Sequence, residues 1–190
     1  MKLEVYNDIV TTIRNFQGLP KDYRNALKQK YRDIPINTLY SILSLEIQHK
    51  MKVNHSKLLG NNRDYYDISI GKVHERKLQD YLTEREIAFC TEEHLRSRGY
   101  DKTPDFTLEV PIAVNGFVIN WIESKARFGN TEIHQKYIKE QFLSYWNRFG
   151  PGLVIYWFGF LDNLSEPSEK RFIIMDHFPE NITYMDPTCI

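Results

Sequence analysis

Two cysteines in 190 residues, Cys90 and Cys189, are too few and too far apart for a disulfide framework or a zinc-ligand set. Such sparse usage suits a reducing compartment. No uninterrupted apolar run approaches membrane-spanning length, and the opening Met-Lys-Leu-Glu-Val-Tyr-Asn-Asp puts charges where a signal peptide needs apolar side chains. Gly129-Asn130 and Gly150-Pro151-Gly152 have turn spacing rather than Walker spacing, which argues against a nucleoside-triphosphate site. No serine stands in a nucleophile-elbow setting, so a Ser/His/Asp hydrolase is unsupported. Internal repeats and low-complexity tracts are also missing. The expectation is a soluble intracellular protein of nucleus or cytoplasm, without a membrane partner.

What is present is enough to build a core. The chain is 42% hydrophobic and 14% aromatic, which rules against disorder, and its length suits one moderate domain or a small domain joined to a larger one. The net charge of zero hides an asymmetry. Residues 1–58 hold ten Lys/Arg against five Asp/Glu, and the remainder fifteen against twenty. A basic first third beside a more acidic remainder reads either as a phosphate-contacting module joined to a carboxylate-bearing site or as ordinary solvated surfaces.

Helical spacing runs through residues 4–17 (Val5, Ile9, Val10, Ile13, Phe16) until Gly18-Leu19-Pro20 breaks it. Tyr23, Leu27 and Tyr31 mark a second helix, ending near Ile34-Pro35. Asn37 is expected to cap a third, with Leu39, Ile42, Leu43, Ile47 and Met51 as its buried stripe. These segments, residues 1–58, read as a small helical domain, either helix-turn-helix-like or a plain docking bundle. Lys50, Lys52, His55 and Lys57 are its candidate phosphate contacts. Residues 59–70 read as a linker with Gly60-Asn61-Asn62 as its loosest point, and a helix is expected from Gly71 with Glu75 in its first turns.

Residues 71–190 form the second expected domain. Ile87-Ala-Phe-Cys90 is a short strand candidate, and Thr91-Glu92-Glu93 opens a short helix ended by Gly99. Two apolar-rich runs then flank Asn115-Gly116, a pair suited to the positive φ values of a tight hairpin. A long helix is expected over 132–148. Leu153 to Phe160, nearly all apolar, reads as a central strand buried on both faces, and Phe172–Met175 as a last strand. A helix between the second hairpin strand and 153–160 implies a crossover onto a parallel neighbour. The fold class is therefore α/β, a mixed sheet with helices on both sides.

Three side chains carry the chemistry. Alternation along a strand points Glu123 and Lys125 to one face, and Asp105, opening the partner strand after Pro104, can reach the same end of the sheet. Two carboxylates and an ammonium would converge. Mg²⁺ prefers oxygen ligands and is commonly held by one or two carboxylates plus substrate phosphate. Lys125 would orient water or stabilise charge on the phosphorane. An isolated Glu-x-Lys is otherwise an ordinary feature of a solvent-facing edge strand. His134 is a candidate metal or phosphate contact, or a helix-end surface residue. Lys102 and Arg148 are candidate phosphate contacts, with Arg148 alternatively paired to an acid. Trp146, Tyr156 and Trp157 are candidate base-stacking residues or simply core.

Asp105 with Glu123-Ser124-Lys125 resembles the PD-(D/E)xK nuclease superfamily. Arg98 to Phe106 and Tyr145 to Phe160, two long and unusual strings, resemble its TPD-domain family more closely over residues 85–180. The resemblance implies a restriction-endonuclease-like α/β/α core and Mg²⁺ or Mn²⁺ dependence. It implies Asp105, Glu123 and Lys125 as catalytic residues, and Glu75 as an auxiliary metal acid beside Asp105 and Glu123. Gln141 and Tyr145 fall on the Gln-x-x-x-Tyr motif of the RecB-like branch, where these residues position substrate or metal. A metal-dependent nuclease acting on nucleic acid, DNA ahead of RNA and with branched or structured DNA among its expected substrates, is the leading expectation. In animals the family also implies association with codanin, so a codanin-like partner is expected. The alternatives are a non-catalytic binding or assembly protein that keeps the nuclease fold, and a helix-turn-helix DNA-binding regulator. The sequence leaves oligomeric state open.

Overall fold

The computed structural model describes residues 1–16, 20–54, 60–165 and 169–185. Its centre is a mixed six-stranded sheet of β1 (Phe89–Thr91), β2 (Phe106–Val114), β3 (Phe117–Lys125), β4 (Gly152–Tyr156), β5 (Phe172–Met175) and β6 (Ile182–Tyr184). The spatial order is β1-β2-β3-β4-β5, and β6 pairs with β2. β2 and β3 form the expected hairpin. Val114 pairs with Phe117, and the two turn residues take positive φ, 50° at Asn115 and 81° at Gly116. β1 pairs with the first half of β2 and β6 with the second half, so the two short strands divide one edge.

β3, β4 and β5 are parallel neighbours. After the short helix α5 (Glu92–Ser97) between β1 and β2, the crossover from β3 to β4 is a helical run of α6 (Thr131–Tyr137), a π-helical segment (Ile138–Phe142) and α7 (Leu143–Phe149). β4 is buried throughout and alternates cleanly. Leu153 and Ile155 join a cluster with Ile122, Phe106 and Leu78, Tyr81 and Leu82 of α4 (Gly60–Glu84) on one face. Val154 and Tyr156 join Trp121, Phe142 and Tyr145 on the other. Helices thus cover both faces, as two-sided burial of a parallel strand requires. Trp121 lies flat against Gly152, where a Cβ would come within 2.1 Å of the indole, so only glycine fits there.

The first helices, α1 (Leu3–Asn15), α2 (Pro20–Lys30) and α3 (Ile36–Asn54), bury Ile9, Ile13, Leu27, Leu39 and Ile42 in a cluster that also takes Phe128 and Leu161. Hydrogen bonds tie them to the sheet's exit loops. Thr38 Oγ1 donates to the Phe158 carbonyl at 2.8 Å, and the Phe128 N–H donates to Ser41 Oγ at 2.7 Å.

Four expectations are corrected. Residues 60–70 are the first turns of the 25-residue α4, not a linker. Gly and Asn are favoured helix-start residues, which accounts for Gly60-Asn61-Asn62 there. Glu75 therefore sits in mid-helix. Asn37 lies inside α3, which starts one residue earlier, just after Pro35. The fourth strand ends at Tyr156, because the chain turns back with the Gly159 N–H on the Tyr156 carbonyl and Gly159 at φ 81°. β6 was not foreseen from its three residues. His55 and Lys57 lie outside the described residues.

Candidate active site

The hairpin brings the three expected side chains together through backbone register. Phe106 pairs with Ile122, so Asp105 falls opposite Glu123. The Asp105 N–H donates to Glu123 Oε2 at 3.2 Å, and the Ser124 N–H donates to Asp105 Oδ2 at 2.7 Å. Each strand's main chain thus fixes the other strand's carboxylate. Lys125 Nζ donates to Glu123 Oε1 at 2.5 Å and sits 4.5 Å from the centre of the Tyr137 ring. Glu123 is only 2% exposed, whereas Asp105 keeps part of its surface at solvent.

Charge in this corner is unbalanced. Burial first, then the Glu123 carboxylate, raise Asp105 well above the usual carboxyl range, against the opposing pull of Lys125 and the Ser124 N–H. Burial works against the Lys125 charge, but Glu123, Tyr137 and Asp105 outweigh it and lift the ammonium above its ordinary value. Burial, Glu92 and Glu123 raise Glu75, which is half-buried on α4. Among the described residues, however, no three His, Cys, Asp or Glu form a metal-holding group. Glu75 is an electrostatic neighbour of the Asp105–Glu123 pair.

The crossover helix supplies the roof. Tyr145 is buried edge-on to Trp121 at 5.3 Å, and burial together with Glu123 and Asp105 keeps its phenol neutral. Gln141 lies one turn earlier, and its buried Oε1 has no hydrogen-bond partner among the described residues. A buried amide oxygen in that state is an acceptor with unused capacity. Tyr137, Gln141 and Tyr145 recur every four residues. The sequence held that spacing, and it was the available signal for Tyr137, which had not been singled out. Ser124 acts through its backbone N–H, which no sequence pattern reveals. Its Oγ accepts from Trp157 Nε1 at 2.8 Å, so Trp157 braces the hairpin.

One expected phosphate contact is corrected, and a second is found paired with an acid, the alternative reading of it. His134 is 4% exposed, with Nδ1 3.0 Å from the Tyr156 hydroxyl and Phe142 and Phe172 around its ring. Burial pushes its imidazole down to about 4, so it is a neutral core residue. Arg148 is committed to the loop before Asp105. It donates to the Asp101 carbonyl at 2.6 Å and pairs with Asp101 Oδ1 at 2.5 Å, and so positions the approach to Asp105. Lys102, exposed at φ 38°, belongs to that same loop. Lys50 and Lys52 lie on α3 with side chains outside the described set. Tyr156 is fully buried, whereas Trp146 is 40% exposed.

No helix among the described residues is long and apolar enough to cross a membrane. The family model described as "Protein of unknown function TPD sequence-motif" matches residues 41–178, a span that contains Asp105, Glu123 and Lys125. CDAN1-interacting nuclease 1 of Homo sapiens is 54% identical over 114 residues, 60% of this chain and 41% of that protein. The Danio rerio protein of that name is 55% identical over 115 residues, 60% and 38% of the two chains. The Xenopus laevis protein is 53% identical over 117 residues, 62% and 39%. The chain thus spans about two fifths of the length of the curated relatives it matches. No solved structure matches it. With the family model covering most of its length, this chain belongs to the TPD sequence-motif family.

Proposed function

We propose that this chain carries a metal-dependent phosphodiesterase site of the PD-(D/E)xK type, acting on nucleic acid. The observation that carries the reading is the reciprocal bracing of Asp105 and Glu123 across the hairpin, with Lys125 on Glu123. The family's relatives named as nucleases support it.

The donor set fits a hard divalent cation. Two carboxylates meet with more negative charge than one ammonium answers, and Gln141 Oε1 is an unused oxygen on the facing helix. Asp105 and Glu123 would hold Mg²⁺ or Mn²⁺, with substrate phosphate completing the shell. Bound there, the ion would polarise the scissile phosphate and lower the pKa of a coordinated water. Lys125, lifted above its ordinary pKa, stays protonated and so serves as a donor to developing negative charge rather than as a base. Its seat between Glu123 and the Tyr137 ring fixes where that donor points. Tyr145, held neutral, offers a hydroxyl and no charge.

The test is calorimetric titration of Mg²⁺ and Mn²⁺ into wild type and Asp105→Asn, followed by incubation of both with labelled single-stranded, duplex, flap and junction DNA and matching RNA. Binding and cleavage should both vanish in the variant. Undiminished cleavage by pure Asp105→Asn protein would sink the assignment. The relatives' name, which joins "CDAN1-interacting" to "nuclease", favours a second reading in which the chain docks a codanin-like protein. Metal-independent binding of such a partner, indifferent to Lys125→Ala and without cleavage of any substrate, is its signature.

A further inference from the structure

A cavity of about 360 Å³ lies between α1, α3 and α6, and Tyr137 and Arg127, neighbours of the hairpin corner, are among its lining residues. Tyr137 belongs to both places. Its ring carries the Lys125 ammonium at 4.5 Å, and the residue also lines the cavity. Arg127, another lining residue, follows Lys125 by two positions and donates its N–H to the Lys125 carbonyl at 2.8 Å. Tyr137 and Arg127 thus join the cavity to the hairpin corner.

Its charges are set for an anion. Two acids line it, Glu46 and Glu132, and Glu46 is already answered by Arg14, whose Nε and Nη2 donate at 2.8 and 3.3 Å. Arg127 forms no ion pair with an acid among the described residues, and Lys136 has only a 3.9 Å approach to Glu140. A surface pair at that distance holds a lysine weakly. Two cations remain for one exposed acid, beside a helical segment with twice as many basic as acidic residues. The opposite wall is aromatic and rigid. Tyr6 stacks on Phe128 with ring centres 5.7 Å apart, and its hydroxyl accepts from Asn130 Nδ2 at 3.1 Å. Unspecific binding of single strands uses this combination of basic groups along the backbone and aromatic faces for bases.

We propose that this cavity is a subsite for one unpaired nucleotide of the substrate strand, with Arg127 and Lys136 holding its backbone phosphates and Tyr6 and Tyr137 flanking its base. The proposal rests on the phosphodiesterase reading and adds a substrate class to it. The volume lies at the small end of ligand pockets. It suits one nucleotide and is too small for a base pair with two backbones, so the strand must be single or frayed beside the scissile bond.

The test is fluorescence anisotropy in EDTA, where no cleavage occurs, with a labelled single-stranded dodecanucleotide and the blunt duplex of the same sequence. Wild type should bind the single strand roughly tenfold tighter than the duplex. Arg127→Ala and Lys136→Ala should each weaken it by about five- to tenfold, and flatten the salt dependence by about 0.7 per lost contact. Arg76→Ala, an exposed cation on α4 paired with Asp80, should change nothing. Lys136 is exposed, so its variant keeps the fold even if Arg127→Ala loosens it. Wild-type affinity in both cavity variants would overturn the subsite, as would equal binding of the duplex or no binding of either strand. Arg127-dependent binding of a polyglutamate decapeptide in place of the oligonucleotide would reassign the cavity to a protein. Neither metal binding nor cleavage is read, so failure here leaves the Asp105–Glu123 assignment standing.

Discussion

Glu46 on α3 and Glu123 on β3 are both buried carboxylates facing one cation, yet the two corners are built on opposite principles. Glu46 is 6% exposed and takes two hydrogen bonds from Arg14, whose side chain is 55% exposed. One charge answers one charge, and water solvates the outer half of the pair. Glu123 is 2% exposed, and its lysine, only 14% exposed, must also answer Asp105 and, at longer range, Glu75. Water cannot screen that surplus. The first corner is complete as it stands. The second is complete only with a proton or a bound cation, a charge surplus that the proposed metal site would use and a purely structural pair would avoid.

The largest effects should come from changing the count in the second corner. Asp105→Asn removes one surplus charge and keeps an oxygen to accept from the Ser124 N–H. Cleavage should be lost, while the midpoint of thermal unfolding at pH 7 stays level or rises, the usual opposition of activity and stability. Lys125→Ala should abolish cleavage too but destabilise the fold by about 3–5 kcal/mol, because it strands the carboxylates without a partner. Urea unfolding of the two variants separates these signs. Equal loss of stability in both would mean that the acids are not in excess, and the contrast with Glu46 would collapse. The sign also sets a pH dependence. Asp105 is raised, so protons compete with the metal over a range above the ordinary carboxyl value, and Mn²⁺ affinity should fall as pH drops through it.

His134 sharpens the contrast from within the aromatic core, as a buried titratable group with no charge at all. Its pKa falls from the ordinary 6.5 to about 4 in the folded protein. The folded state thus favours the neutral ring. The stabilisation is fully present above pH 6.5 and is lost as pH falls through 4, a contribution of about 3 kcal/mol. Denaturant midpoints between pH 7 and 4 should decline more steeply in wild type than in His134→Phe, even if the variant is less stable throughout. Parallel declines would place a charged imidazole, and with it a polar site, where the structure has packing.

What the sequence yielded and withheld follows the same division between local and tertiary causes. Asn115-Gly116 declared its hairpin because two positive φ values are a local demand. Period-two alternation then put Glu123 and Lys125 on one face without any knowledge of the rest. β4 was legible because a strand buried on both faces has nowhere to put polar side chains. Tyr137 acquires its place beside Lys125 from the rotation of the crossover helix over the sheet, and the π-helical segment between residues 138 and 142 shifts that rotation away from ordinary helical phase. His134 turned out to be a core residue and Arg148 to be paired with an acid for a related reason. A cation or a histidine near a site looks the same in sequence whether it faces solvent, an aromatic pocket or a loop carbonyl. Glu46 was invisible as a buried pair, since its partner Arg14 lies 32 residues away on another helix.

That pair provides the smallest and most discriminating change. Glu46→Gln keeps the shape and one acceptor for Arg14 but removes the charge. Charged hydrogen bonds exceed neutral ones by about 1 kcal/mol, and Arg14 can turn to water, so stability should fall by only about 1–2 kcal/mol. Two further readings follow if the corners are as independent as their charges imply. Mn²⁺ affinity at Asp105 and Glu123 should not move, because Glu46 is not among the charges that shift either Asp105 or Lys125. Single-strand affinity should rise, because the released guanidinium adds a third cation to the cavity beside Arg127 and Lys136. A loss of metal binding in Glu46→Gln would instead mean that the helical layer and the hairpin share one electrostatic unit, and the closed pair would then be part of the open one.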